Sequence, residues 1–135
     1  MSLTWVDGVA ADTVPADDRG LNYADGAFET LSCHEGRIQH EDLHRSRLTR
    51  ALAALGVPSA AEQSERLFEE AGRCLGTAGH TGVARLTVTR GSGPRGYAPP
   101  VPPQLRSILR ASARPNSSLS GLRCGIATTR WATQP

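Results

Sequence analysis

The sequence predicts an α+β domain, a mostly antiparallel sheet with two helices on one face. Three observations carry this: a strictly alternating segment around residue 30, two amphipathic helical stretches between residues 41 and 75, and alternating segments again after residue 83. At 135 residues the chain holds one domain with a modest core, 39% apolar and only 4% aromatic.

Residues 1–20 read as short extended pieces broken by the turn signals Asp7-Gly8 and Asp17-Asp18-Arg19-Gly20. A strand follows from Ala27 to Cys33, with Phe28, Thr30 and Ser32 on one face and Ala27, Glu29, Leu31 and Cys33 on the other. Glu35-Gly36 turns the chain into a short return strand, Arg37 to Gln39. The first helix runs from about Glu41 to Leu55, with Leu48, Ala51, Leu52 and Leu55 in one stripe and two acids in its first turn. Gly56 closes it. Ser59-Ala60-Ala61-Glu62 has the form of a capping box and opens a second helix to about Leu75. Its apolar stripe is Ala60, Ser64, Leu67, Phe68, Ala71, Cys74 and Leu75. Strands are predicted at Val83 to Arg90, Leu105 to Ala113 and Arg123 to Arg130, the first two separated by a Gly/Pro-rich loop from Gly91 to Pro103.

Composition excludes several functions. No stretch approaches the roughly 20 apolar residues of a membrane span, and no basic region precedes an apolar one at the N-terminus. Cys33, Cys74 and Cys124 form no metal-like pair and suit a reducing, cytoplasmic compartment. A net charge of +2 with six aromatic residues is a poor basis for nucleic-acid binding. All 15 basic residues are arginine, so no side chain of this chain supplies an amine nucleophile or a Schiff base. The ending Trp131-Ala132-Thr133-Gln134-Pro135 directly after a strand-like run reads as the edge of a piece of something larger.

His40-Glu41-Asp42-Leu43-His44 matches the zinc-peptidase pattern H-E-x-x-H. That pattern works mid-helix, where both histidines share a face. Here it falls at a helix entrance, so the reading preferred is two histidines near a cap, with no metal. Arg90-Gly91-Ser92-Gly93-Pro94-Arg95-Gly96-Tyr97 suits a carboxylate or phosphate site, because glycines admit a ligand to the backbone and arginine offers a two-pronged donor. A solvated loop, or a weak single-strand RNA contact with Tyr97 as the stacking ring, stays open from these residues alone. Arg47 lies at the margin of the Leu48 stripe, placed either to bind at a domain surface or to snorkel into solvent.

In order, these segments resemble one family. Asp18-Arg19-Gly20-Leu21-Asn22-Tyr23-Ala24-Asp25-Gly26-Ala27-Phe28-Glu29-Thr30 is similar to the D-R-G-x-x-[YF]-G-D-G-x-F-E-T segment of fold-type IV pyridoxal-phosphate enzymes, with Ala24 in place of a glycine. His44-Arg45-Ser46-Arg47-Leu48 resembles their H-x-x-R-L motif, and Arg90 to Tyr97 their R-G-x-x-x-R-G-Y loop in the form most similar to aminodeoxychorismate lyases. The resemblance implies that residues 1–135 are the small N-terminal domain, with the lysine-bearing domain absent from this chain and the chain inactive alone. It implies that Arg47 holds the phosphate of pyridoxal 5′-phosphate, that Arg95 and Tyr97 bind a substrate carboxylate, and that Phe28 and Thr30 line the substrate cavity. It further implies a homodimer acting on a small amino-carboxylate, by lyase chemistry in folate synthesis or by transamination of D- or branched-chain amino acids. A short anion-binding module without catalysis is the third reading.

Overall fold

The computed structural model describes residues 2–115, 121, 123–126 and 128. Its frame is a six-stranded antiparallel sheet in the order β2-β1-β6-β5-β3-β4. The strands are β1 (Leu3–Val6), β2 (Val9–Ala10), β3 (Gly26–His34), β4 (Arg37–Ile38), β5 (Gly82–Thr89) and β6 (Arg106–Ser112). The helices are α1 (Arg19–Tyr23), α2 (Glu41–Ala54) and α3 (Ala60–Thr77).

Alternation sorts the sheet into two faces. Leu31, Cys33, Ala84, Leu86, Val88, Leu109 and Ala111 are buried on one, where Leu48 and Leu52 of α2 and Leu67, Phe68, Ala71 and Leu75 of α3 cover them. Ser64, buried in the α3 stripe, donates to the Arg45 carbonyl at 3.1 Å and ties the two helices together. Phe28, Thr30, Arg85, Thr87, Ile108 and Arg110 face the other way, and among the described residues no helix packs there as α2 and α3 do on the core face. The expected α+β class, antiparallel sheet and two long helices on one face are the architecture found.

Both short hairpins rest on paired positive φ angles. Asp7 and Gly8 stand at 51° and 75° between β1 and β2; Glu35 and Gly36 stand at 48° and 77° between β3 and β4. Two consecutive positive φ values match the turn to the strand twist. Gly36 also packs against the end of α3, where a Cβ would lie 2.6 Å from Gly76 Cα. Gly36→Ala is therefore expected to cost about 1–2 kcal/mol of stability. A shift of the urea midpoint measures it, and an unchanged midpoint would contradict the packing.

Four expectations are corrected. The segment Asp17 to Gly20 is more than a turn: it leads into α1, because the Asp18 carboxylate accepts from the Gly20 amide at 2.8 Å and caps the helix. The pieces read only as extended at the N-terminus join the sheet, β1 pairing with β6 from Leu3↔Ala111 to Val6↔Ile108. Ser59 starts α3 as expected but from φ 51°, a left-handed conformation without a side-chain cap, so the capping box is not made. The strand expected from Arg123 to Arg130 is not formed at 123–126 or 128; the rest of it lies outside the described residues.

Candidate active site

Two buried charge clusters hold the motif residues in place. At the first, Arg19 is 2% exposed and reaches across three separate segments. Its Nε donates to Asp25 at 2.8 Å, while its Nη atoms donate to the carbonyls of Gly96 (3.0 Å) and Tyr97 (2.9 Å). Its guanidinium lies over the Tyr23 ring, 4.7 Å from the centroid. Asp25 also accepts from Arg90 Nε at 3.0 Å, and Arg90 Nη2 donates to the Leu55 carbonyl at the end of α2. Burial acts to raise the Asp25 pKa, but hydrogen bonds and charge from Arg19 and Arg90 outweigh it and hold the carboxyl below its ordinary value. Beside this, Asp18 is 1% exposed and accepts from Thr89 Oγ1 at 2.9 Å and Arg106 Nη1 at 2.6 Å as well as from Gly20. Gly91 completes the junction at φ 76°, its carbonyl accepting from the Arg19 amide at 2.8 Å; a Cβ there would lie 1.9 Å from the Gln104 carbonyl oxygen.

The second cluster centres on Glu29, whose side chain is 3% exposed on the helix side of β3. Arg47 grips it with both prongs, Nε donating to Oε1 at 2.8 Å and Nη2 donating to Oε2. His44 Nδ1 lies 2.7 Å from Oε2 and, facing an ionised carboxylate, carries the proton there. Burial acts to raise the Glu29 pKa, but hydrogen bonds from Arg47 and His44, with their charge, bring it below the ordinary value. A lowered folded pKa means that stability is fully present above about pH 4.5 and is lost as pH falls through the carboxylate range. Between about pH 5 and pH 3 the wild type is expected to lose more stability than Glu29→Gln. Parallel losses, measured by urea denaturation at each pH, would contradict the assignment.

Arg47 is itself 60% exposed, and among the described residues its Nη1 has no partner, so the outer edge of the guanidinium is open to an anion. The residues of the H-E-x-x-H pattern separate: His40 stands before α2 at φ 53°, and His44 is held on Glu29. No group of three or more metal-ligating side chains gathers among the described residues.

The sequence-predicted site residues fall into three places. Arg47 lies on the helix side of β3. Phe28 and Thr30 lie on its open side, flanking Glu29 along the strand. Phe28 lines a cleft of about 480 Å³ with Val14, Leu21, Ala24, Thr87 and Ile108. Thr30 sits one row further along, opposite Arg85. Arg95 lines a different cleft with Asn22 and Tyr23. Tyr97 is 90% exposed, with its ring edge-on to Tyr23 at 5.8 Å. Tyr23 Oη accepts from the Gly96 amide at 2.9 Å, so α1 carries this loop. Within this chain Arg95 and Tyr97 do not meet Phe28 and Thr30 in one cleft. Among the described residues β3 has no strand neighbour from Gly26 to Leu31 on the side away from β5.

Sequence reasoning missed Asp18, Arg19, Asp25, Arg90 and Arg106 as a network. The available signal was charge: two acids and three arginines in or next to turn and loop segments, where such groups are seldom buried unpaired.

Comparison with known proteins places the fold and the family. The crystal structure of 4-amino-4-deoxychorismate lyase from Pseudomonas aeruginosa superposes with a TM-score of 0.77 at 42% identity, over 84% of this chain and 40% of that one. An aminodeoxychorismate lyase from Vibrio harveyi is 26% identical over 98% of this chain and 49% of its own length. A D-alanine aminotransferase from Listeria monocytogenes is 30% identical over 88% of this chain and 44% of its own length. The chain thus spans about half the length of the curated relatives it matches. The family model for amino-transferase class IV matches residues 26–135, most of the sheet and both long helices included. The chain belongs to the class IV aminotransferase family, whose fold-type IV members are pyridoxal-phosphate enzymes.

Proposed function

We propose that this chain is the small N-terminal part of an aminodeoxychorismate lyase, which converts 4-amino-4-deoxychorismate to 4-aminobenzoate and pyruvate for folate synthesis. The observation that carries the reading is the 42% identity and 0.77 TM-score, over 84% of this chain, to a structure named as that lyase. The protein acts in the cytoplasm as a homodimer in this reading; exposed Tyr97 and Val101, 90% and 91%, suit a loop that reaches a neighbouring subunit.

The residues present fit one end of the cofactor. The open edge of Arg47, held in orientation by Glu29, suits a phosphate, and Glu29 itself is turned away by its two donors. Covalent attachment is not available here, because the chain has no lysine. When bound, pyridoxal phosphate supplies an electron sink for negative charge developing on the substrate carbon. The work of this chain is binding and placement. Arg47 anchors the phosphate, Phe28 and Thr30 wall the substrate side of β3, and Arg95 with Tyr97 takes a carboxylate from a loop stapled by Arg19. Nothing among these residues shuttles a proton at the reacting carbon, so that role falls to a lysine outside this chain, and residues 1–135 alone are inactive.

Transamination is the second reading, favoured by the D-alanine aminotransferase relative. The product of the native gene, loaded with cofactor, is expected to release 4-aminobenzoate and pyruvate in equal amounts with no keto-acid acceptor present. Absence of both products, with amino transfer from a D-amino acid once an acceptor is added, would replace the lyase by the aminotransferase.

A further inference from the structure

The loop that carries Arg95 and Tyr97 has little structure of its own. From Gly91 to Pro103 it forms no helix and no strand of the sheet, and Pro94 to Pro99 are all exposed. Its root is pinned: Ser92 pairs with Asp18 in an isolated bridge, and Ser92 Oγ donates to Asp17 at 2.8 Å. The tip has a different anchor. Three successive carbonyls, those of Gly96, Tyr97 and Ala98, accept from the Arg19 guanidinium at 3.0, 2.9 and 3.4 Å. An exposed loop ordinarily gives such carbonyls to water; here they wrap around a side chain 77 to 79 positions earlier in the chain.

Arg19 can serve as a fixed post because the interior sets its place. It is 2% exposed, and its Nε is taken by Asp25 at 2.8 Å. Asp25 is braced in turn by Arg90, which reaches the Leu55 carbonyl at the end of α2. A planar fork suits this division, one edge to the carboxylate and the rest to the loop; a lysine ammonium is a point charge that cannot span both. Tyr23 supports the same tip. Its ring lies 4.7 Å from the Arg19 guanidinium and edge-on to Tyr97 at 5.8 Å, and its hydroxyl accepts from the Gly96 amide at 2.9 Å. The backbone of the tip is thus held, while its functional side chains are left open. Tyr97 is 90% exposed, and Arg95 makes no ion pair among the described residues.

We propose that Arg19, with Tyr23 beside it, is a positioning residue for the substrate: it fixes the backbone from Gly96 to Ala98 so that Arg95 and Tyr97 meet a carboxylate from a loop already in order. A loop without this tether has to be ordered at the moment of binding, and that cost lowers affinity. The guanidinium is buried, so Arg19 acts through the loop and not on the substrate. The assignment rests on the carboxylate role given above to Arg95 and Tyr97, and it holds for a lyase and an aminotransferase alike.

The test uses the full-length, cofactor-loaded protein from the native gene. Its substrates are 4-amino-4-deoxychorismate and, separately, D-alanine with a keto-acid acceptor. For whichever of them the wild type turns over, Arg19→Lys is expected to raise KM about tenfold or more with kcat within about threefold, since an ordering cost shared by ground and transition states acts on KM. Cofactor affinity, which reports on Arg47, stays within about twofold by equilibrium dialysis. Hydrogen exchange is expected to quicken about tenfold or more in residues 94–99 while α2 and α3 keep their rates, a pattern that general destabilisation does not produce. Tyr23→Phe leaves the buried ion pairs intact and is expected to give smaller changes of the same kind, about threefold in KM. It carries the test if Arg19→Lys does not fold: unchanged KM and unchanged exchange in Tyr23→Phe then overturn the assignment. With Arg19→Lys folded, a KM within about twofold of wild type overturns it. Exchange that quickens equally through α2 and α3 overturns it too, and marks Arg19 as a residue of stability alone. The two failures are separable. A wild type that transaminates D-alanine and releases no 4-aminobenzoate refutes the lyase reading, while the KM of Arg19→Lys for D-alanine still decides the role of Arg19.

Discussion

Asp18→Ala is expected to cost about 3–5 kcal/mol of stability, because it strips a buried carboxylate from its cationic partner and leaves the partner unpaired. Three donors converge on Asp18: the Gly20 amide, the Thr89 hydroxyl and Arg106 Nη1. With the carboxylate gone, α1 loses its cap and the Arg106 side chain, 15% exposed, keeps a hydrogen bond of 3.3 Å to Ser92 Oγ and a longer contact of 3.5 Å to Asp7. Thr89 retains one use for its hydroxyl, accepting from the Gly91 amide at 3.0 Å. The damage should spread to the 480 Å³ cleft, because Asp18, Gly20, Leu21 and Ala24 all line it. Asp18→Asn keeps the shape and part of the hydrogen bonding and should recover some of the loss. Urea denaturation of both variants measures the effect; a loss below about 1 kcal/mol for Asp18→Ala would mean that the network is dispensable.

The second large effect is expected at Arg47. In the full-length protein, Arg47→Ala should weaken pyridoxal phosphate by about tenfold to a hundredfold, the range expected when a charge-assisted, two-pronged contact to an anion is lost. Glu29 would then face inward with His44 as its remaining side-chain donor, and stability should fall as well. Arg47→Lys separates charge from shape: a point charge can attract phosphate but cannot span both oxygens of Glu29 and present a second edge outward. Equilibrium dialysis against the free cofactor reads the affinity. A dissociation constant within twofold of wild type for Arg47→Ala would remove Arg47 from the phosphate site.

The parts of the fold legible in the sequence are those whose signals are local. Period-two alternation marks β3, since Leu31 and Cys33 are buried while Thr30 is exposed. Spacing of three and four marks α3, where Ser64, Leu67, Phe68, Ala71 and Leu75 are all buried. What escaped depends on distance along the chain. α1 is five residues long, too short for periodicity, and is held by Thr89 and Arg90 some 70 positions away. β1 finds its partner in β6, more than 100 residues later. The run from Arg123 looks like a strand in composition, yet residues 123–126 and 128 are not in one.

The site divides in the same way. Arg47, Arg95 and Tyr97 stand out through motif resemblance, but their surroundings do not: that Glu29 would grip Arg47, or that Arg19 would staple Gly96 and Tyr97, needs the folded chain.

The central claim is that this chain supplies the anion-binding half of a pyridoxal-phosphate enzyme while the covalent lysine lies outside residues 1–135. Its most direct test is the intact mass of the native gene product after incubation with the cofactor and reduction by borohydride, which fixes a lysine-bound cofactor permanently. The account predicts a polypeptide of about twice the 14.3 kDa of this chain, carrying one cofactor on a lysine beyond residue 135. A 14.3 kDa product with no covalent cofactor would contradict it, and would leave the arginines of this chain as the sites of an anion-binding module.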